Sequence, residues 1–156
     1  MPQLSLHTPI GDLSVAEEAG AIVSVDWGWG SDQTATPLLA RARDQLHAYF
    51  DGALTQFDLP LNPAGTSYRR RVWAALCDIP YGATRSYVDI SRQVGGSPRS
   101  VGQANGSNPI PIIIPCHRVL ATTGIGGYSG GDGLLTKRAL LALESRAIPL
   151  FPSVAA

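Results

Sequence analysis

Apolar and polar positions divide this chain into stretches of two periods. Near the start, Leu4-Ser5-Leu6-His7, Leu13-Ser14-Val15 and Ala21-Ile22-Val23-Ser24-Val25 alternate or run apolar, the mark of short strands. Gly11-Asp12 and Glu18-Ala19-Gly20 punctuate them as turns, which reads as a meander. The period then lengthens. Thr36-Pro37 joins a capping hydroxyl to a proline at the first helical position. Leu39, Ala42, Leu46, Tyr49 and Phe50 follow on one face up to Asp51-Gly52. His47, beside that stripe, reads as an ordinary surface or boundary histidine.

The proline-rich run 58–65 is a connector, and it divides the chain into units 1–64 and 65–156. Thr66 or Ser67 caps a helix whose inward face is Tyr68 or the stem of Arg69, then Val72, Trp73, Leu76 and Ile79. Cys77 reads as a buried structural thiol there. After Pro80-Tyr81-Gly82, Ser86-Tyr87 opens one short helix that ends near Val94-Gly95-Gly96. Ser97-Pro98 opens another that breaks at Asn105-Gly106. Two short helices around a glycine-containing turn match a helix-turn-helix. A last helix spans Asp132-Gly133 to Ser145, with Leu134, Leu135, Leu140, Leu141 and Leu143 as its apolar surface. The fold class is therefore α+β, a β-rich N-terminal domain followed by a mainly helical one.

With 44% apolar and 15% charged residues, the chain should pack a core rather than stay disordered. No apolar run approaches membrane-spanning length, and Met1-Pro2-Gln3-Leu4-Ser5 lacks a basic region followed by an apolar stretch, so a cytoplasmic location is expected. The zero net charge hides an asymmetry. Up to Ala64 two cations face eight acids, and from Gly65 ten cations face four, leaving −6 and +6. Such a split suits a polyanion-facing second half, or a pair of complementary surfaces. Two cysteines in a reducing compartment predict no structural disulfide. His7, His47, Cys77 and Cys116-His117 lack metal-ligand spacing, so neither a metal nor another cofactor is expected.

The chemistry concentrates after residue 107. The prolines of Asn108-Pro109-Ile110-Pro111-Ile112-Ile113-Ile114-Pro115 exclude helix and predict a rigid, extended, apolar strap. Pro115 would then start a helical turn and place Cys116 near a helix N-terminus, where free amides and the dipole favour a thiolate. His117 points roughly 100° away from its neighbour on a helix, which favours a water-relayed contact over a direct sulfur–imidazole bond. A base of this kind is usually oriented by a third group, and Glu144 is the best available acid. The competing reading is a buried strand that happens to hold an inert cysteine. Gly124-Ile125-Gly126-Gly127-Tyr128-Ser129-Gly130-Gly131 is either a backbone-amide loop around a substrate or a flexible connector.

Pro115-Cys116-His117-Arg118-Val119, preceded by Asn108-Pro109-Ile110-Pro111 and followed by Gly127-Tyr128-Ser129-Gly130-Gly131, resembles the O6-alkylguanine-DNA alkyltransferases. The similarity extends back through Arg71-Val72-Trp73, Ile79-Pro80-Tyr81-Gly82, Ser86-Tyr87 and Arg99-Ser100-Val101-Gly102. The resemblance implies a ribonuclease H-like N-terminal domain, a winged-helix-like helical domain and direct reversal of DNA damage. Cys116 would take an alkyl group from guanine O6 in a single irreversible turnover, with His117, Glu144 and a water drawing off its proton and Asn108 bracing the turn before the strap. Double-stranded DNA carrying the lesion would be the partner of a monomer. Arg99 would fill the gap left by the flipped base, Tyr87 would crowd the flanking phosphate and donate to guanine N3, and Ser86, Ser100 and Arg118 would also face DNA. The carbonyls of Cys116 and Val119 would accept from the guanine amino group, the amide of Ser129 would reach O6, and Tyr128 and Gly131 would shape the alkyl pocket. Family members with an N-terminal zinc hold it with cysteines that this chain lacks. The alternatives are a protein that binds alkylated DNA without removing the lesion, and a cysteine hydrolase built on Cys116 and His117.

Overall fold

Three antiparallel strands open the chain, β1 (Gln3–Leu6), β2 (Leu13–Glu18) and β3 (Ala21–Trp27), paired in the order β1-β2-β3. The computed structural model describes residues 1–147. Leu4 pairs with Val15 and Val15 with Val25, so the apolar alternation places three buried side chains in one row of the sheet. A register shift at Ala16/Glu17 interrupts the β2–β3 ladder. Gly20 makes the β2–β3 turn at φ 80°, where a side chain would be strained. Helix α1 (Pro37–Phe50) packs on this sheet through Leu39, Ala42, Leu46 and Tyr49, with Thr36 capping Leu39.

Beyond the connector come α2 (Ser67–Cys77), the two-residue strand β4 (Arg85–Ser86), α3 (Tyr87–Val94) and α4 (Pro98–Gly106). Both short helices begin with capping boxes, Ser86 with Asp89 and Ser97 with Ser100. This reciprocal bonding lets helices of eight and nine residues start cleanly. α2, α3 and α4 contact one another in all three pairs, and Trp73 of α2 donates its indole N–H to the Ala104 carbonyl at 2.8 Å. Then follow a 3-10 turn (Cys116–Arg118), strand β5 (Val119–Leu120), parallel to β4, and α5 (Leu134–Ala147). One hydrophobic cluster runs from Leu4 to Leu140 through both halves.

Two expectations change. Cys77 is exposed at the end of α2 rather than buried, because Val72, Trp73, Ala75 and Leu76 already carry that helix's inner face. Leu134 and Leu135 stay 39% and 69% exposed, while α5 buries Thr136, Lys137, Leu140 and Glu144. On the inward face Lys137 finds the Val119 and Gly127 carbonyls and Glu144 finds Tyr49, His117 and Arg118, so neither buried charge is left without a partner.

Candidate active site

The strap is buried from Ile110 to Pro115 and half-buried at Asn108 and Pro109, and it is not extended. Ile112 takes φ 72°, and the chain folds back so that Ile114 N–H donates to the Ile110 carbonyl at 2.9 Å. Asn108 pins this fold: its side-chain amide donates to the Ile114 carbonyl at 2.8 Å and its carbonyl oxygen accepts from Ile110 N–H at 2.9 Å. Prolines 109, 111 and 115 cannot supply backbone donors, so the asparagine side chain provides bonds that the backbone lacks. Val25 N–H holds the Pro109 carbonyl at 2.9 Å and ties the strap to β3.

Cys116 emerges from this turn on the floor of a cleft of about 530 Å³. Tyr87, Gly102 and Gly106 come from the helix-turn-helix side, Gly127 to Gly130 from the glycine-rich loop, and Val25 to Trp27 from β3. Cys116 is 5% exposed. Its environment overturns the thiolate expectation. Pro115 precedes a three-residue 3-10 turn instead of opening an α-helix, and so short a turn carries little dipole. Burial pushes the thiol pKa up; Asn108, Tyr128 and, at longer range, Lys137 pull it down without cancelling that effect. The resting sulfur is a neutral thiol.

His117 is fully buried and makes no hydrogen bond to the sulfur. Its Nε2 lies 2.6 Å from Glu144 Oε2. Glu144 also accepts from Arg118 Nε at 2.8 Å, Arg118 Nη2 at 3.0 Å and the Tyr49 hydroxyl at 2.6 Å. Burial opposes the carboxylate's charge, but His117, Arg118 and Tyr49 prevail and hold its pKa at about 2. Burial moves the His117 pKa down, and Glu144 only partly restores it. The pair at neutral pH is thus an anionic Glu144 and a neutral imidazole. A carboxylate can only accept, so Nε2 carries the proton. Nδ1 is then a lone-pair acceptor, and it has no protein partner among the described residues.

Several predicted residues meet at this cleft. Tyr87, Asn108, Tyr128 and Ser129 line it with Cys116. Tyr87 lies against the loop, where a Cβ on Gly126 would stand 3.1 Å from its ring, and Ser129 Oγ donates to the Gly106 carbonyl at 3.2 Å, joining the loop to α4. The buried Tyr128 hydroxyl faces the sulfur and lacks an oxygen or nitrogen partner among the described residues. Arg99 is exposed on α4, one turn before the cleft residue Gly102. The Cys116 carbonyl accepts from Asn105 Nδ2 at 3.2 Å and that of Val119 from Lys137 Nζ at 2.6 Å.

Others stand apart. Gly131 lies behind the cleft wall, against Thr136 and Trp27. Ser86 and Ser100 are occupied as capping residues, Ser100 also bonding the Tyr68 hydroxyl at 2.9 Å. Arg118 cannot face DNA. It is 7% exposed, bound to Glu144 and the Ile79 carbonyl, with its guanidinium 5.6 Å from the Tyr81 ring centroid.

Sequence reading missed Tyr49, Lys137, Asn105 and Trp27. A tyrosine in an apolar stripe signals a buried hydroxyl that needs a partner, and Lys137, Leu140 and Glu144 have the spacing of one helix face. Lys137 Nζ, with its pKa lowered by burial to about 8, also donates to the Gly127 carbonyl at 3.0 Å. It clamps β5 to the glycine-rich loop.

Residues 4–63 match the ribonuclease-like domain of 6-O-methylguanine DNA methyltransferases, and residues 67–146 match the DNA-binding domain of the same proteins. The methylated-DNA–protein-cysteine methyltransferase of Mycobacterium tuberculosis is 44% identical over 158 residues, covering 93% of each chain. The constitutive one of Bacillus subtilis is 43% identical over 138 residues, covering 80% of this chain and 84% of its own. The crystal structure of M. tuberculosis OGT in complex with DNA superposes with a TM-score of 0.85 at 41% identity, covering 96% of both chains.

Proposed function

The chain belongs to the 6-O-methylguanine DNA methyltransferase family, and we propose that it repairs DNA by taking the alkyl group of O6-alkylguanine onto Cys116. The observation that carries this reading is the buried thiol on the floor of an open cleft, backed by a neutral histidine that an ionised glutamate holds in the accepting tautomer.

The lesion is flipped out of the duplex, at a cost of a few kcal/mol. Arg99 on the exposed face of α4 fills the stack, and Tyr87 at the cleft rim contacts the flanking phosphate and the base. The thiol proton passes through a water to His117 Nδ1, and Glu144 stabilises the imidazolium that results. The sulfur then attacks the alkyl carbon: the S–C bond forms as the C–O6 bond breaks, and the released guanine is reprotonated from Tyr87 or solvent. A thioether offers no easy leaving group, so each molecule acts once. Keeping the thiol neutral until a base arrives protects a nucleophile that can be used only once. Asn108 positions the strap, and the Ser129 amide and the Tyr128 ring shape the pocket around O6 and its alkyl group.

In this reading residues 1–64 form the supporting unit and 65–156 the DNA-binding acceptor unit of a monomer. The reading places this action on DNA in the cytoplasm. No helix among the described residues is long and apolar enough to cross a membrane.

Intact-mass measurement after incubation with duplex containing O6-methylguanine tests the reading. One added methyl per chain on Cys116, absent in C116A, is expected. Tight lesion binding without mass gain would instead identify a lesion-binding protein, and repeated turnover on an ester or amide would identify a hydrolase.

A further inference from the structure

One wall of the cleft comes from outside the DNA-binding half. Strand β3 ends at Trp27, which lines the same cavity as Cys116, Tyr128 and Gly130. Its indole lies along the backbone of the loop. A Cβ placed on Gly130 would stand 2.6 Å from Trp27 Cζ2 and 2.8 Å from both Cε2 and Nε1. One on Gly131 would stand 3.3 Å from Cε3 and Cζ3. The six-membered ring therefore spans both residues, and its contact with Gly130 tolerates no side chain there. Gly131 sits at φ 48°, where glycine is favoured on backbone grounds as well. These glycines follow two and three residues after Tyr128, whose hydroxyl faces the sulfur. The far side of the loop is held by Lys137 on the Gly127 carbonyl, so the loop is clamped between α5 and β3.

We propose that Trp27 is a specificity-determining residue: by packing on Gly130–Gly131 it fixes the width of the cleft above Cys116 and restricts transfer to small alkyl groups. The inference rests on the alkyl-transfer reading and adds to it a role for the N-terminal meander, which otherwise only supports the fold. An indole is large and rigid, so it excludes ligand volume without itself rearranging. Single methylenes in an apolar pocket already change selectivity at least tenfold, and removal of a whole ring should do no less.

The test measures second-order rate constants of Cys116 alkylation from duplexes carrying O6-methylguanine and O6-benzylguanine, for the wild type, W27A and W27F. The benzyl-to-methyl ratio should rise about tenfold or more in W27A, with W27F between. This ratio is insensitive to loss of folded protein, because both substrates report on the same active fraction. A ratio within about twofold of the wild type in W27A would overturn the proposal. A second arm uses Gly130→Ala. It should slow methyl transfer severely beside Trp27 and much less in the W27A background, a coupling that a double-mutant cycle isolates. Equal losses in both backgrounds would show that the ring does not set the loop. If the wild type gains neither methyl nor benzyl mass, the alkyl-transfer reading itself fails, a result distinct from an unchanged ratio.

Discussion

Replacing Glu144 with glutamine removes one charge at nearly constant shape, and the structure sets the size of the effect. The carboxylate is 1% exposed. Burial favours its neutral form, but the bonds from His117, Arg118 and Tyr49 more than reverse this and bring the pKa from 4.5 to about 2. At about 1.4 kcal/mol per pKa unit, that gap corresponds to about 3 kcal/mol of folding free energy. The folded pKa lies below the unfolded one, so this stabilisation is complete above pH 4.5 and drains away as the pH falls toward 2. Near pH 3 about 2 kcal/mol of it has gone. Glutamine does not titrate, and E144Q should lack that component. Urea unfolding at pH 7 and near pH 3 checks this in an H117Q background, where no buried imidazole titrates: H117Q should lose more stability than H117Q/E144Q between the two conditions. At pH 7 E144Q should already be about 3 kcal/mol less stable than the wild type, because Arg118 is left buried without its counter-charge. Equal acid sensitivity in the two proteins would refute an ionised, hydrogen-bonded Glu144 and with it the tautomer assigned to His117.

Other consequences can be checked separately. Thiolate absorbance should be absent from Cys116 at neutral pH in the free protein and appear only in alkaline solution, since burial raises its pKa; C116S provides the baseline, and a signal at pH 7 would contradict the neutral thiol. Tyr49→Phe should cost about 2 kcal/mol in chemical unfolding, the loss of a hydroxyl bond to a charged group, and should slow Cys116 alkylation although Tyr49 lies on α1, outside the cleft. Asn108→Ala strips the Ile114 carbonyl and Ile110 N–H of their side-chain partners. It should destabilise the protein by about 2 kcal/mol and lower the alkylation rate, whereas unchanged unfolding would show that the strap holds itself.

Some of this protein could be read before any coordinate was known. Alternation with period two located the meander, and the stripe from Leu39 to Tyr49 located α1, because a backbone of fixed period exposes its buried face in the sequence. Ser86 and Ser97 marked the starts of α3 and α4, since capping is a local bargain between a side chain and amides three residues away. The nucleophile, its neighbour and the asparagine before the strap were legible for a similar reason: their chemistry sits within ten residues. What the sequence could not express was decided by distance through space. Arg118 looked like a surface cation until the fold paired it with Glu144, 26 positions away. Tyr49 looked like core until its hydroxyl met the same carboxylate, 95 positions away. The protonation of Cys116 turned on burial outweighing the pull of Asn108, Tyr128 and Lys137, at a three-residue turn that adds little dipole. Local pattern specifies period, caps and nucleophile because those interactions span a few residues; partners, protonation states and the walls of the cleft depend on desolvation and contact, which exist only once distant segments have packed.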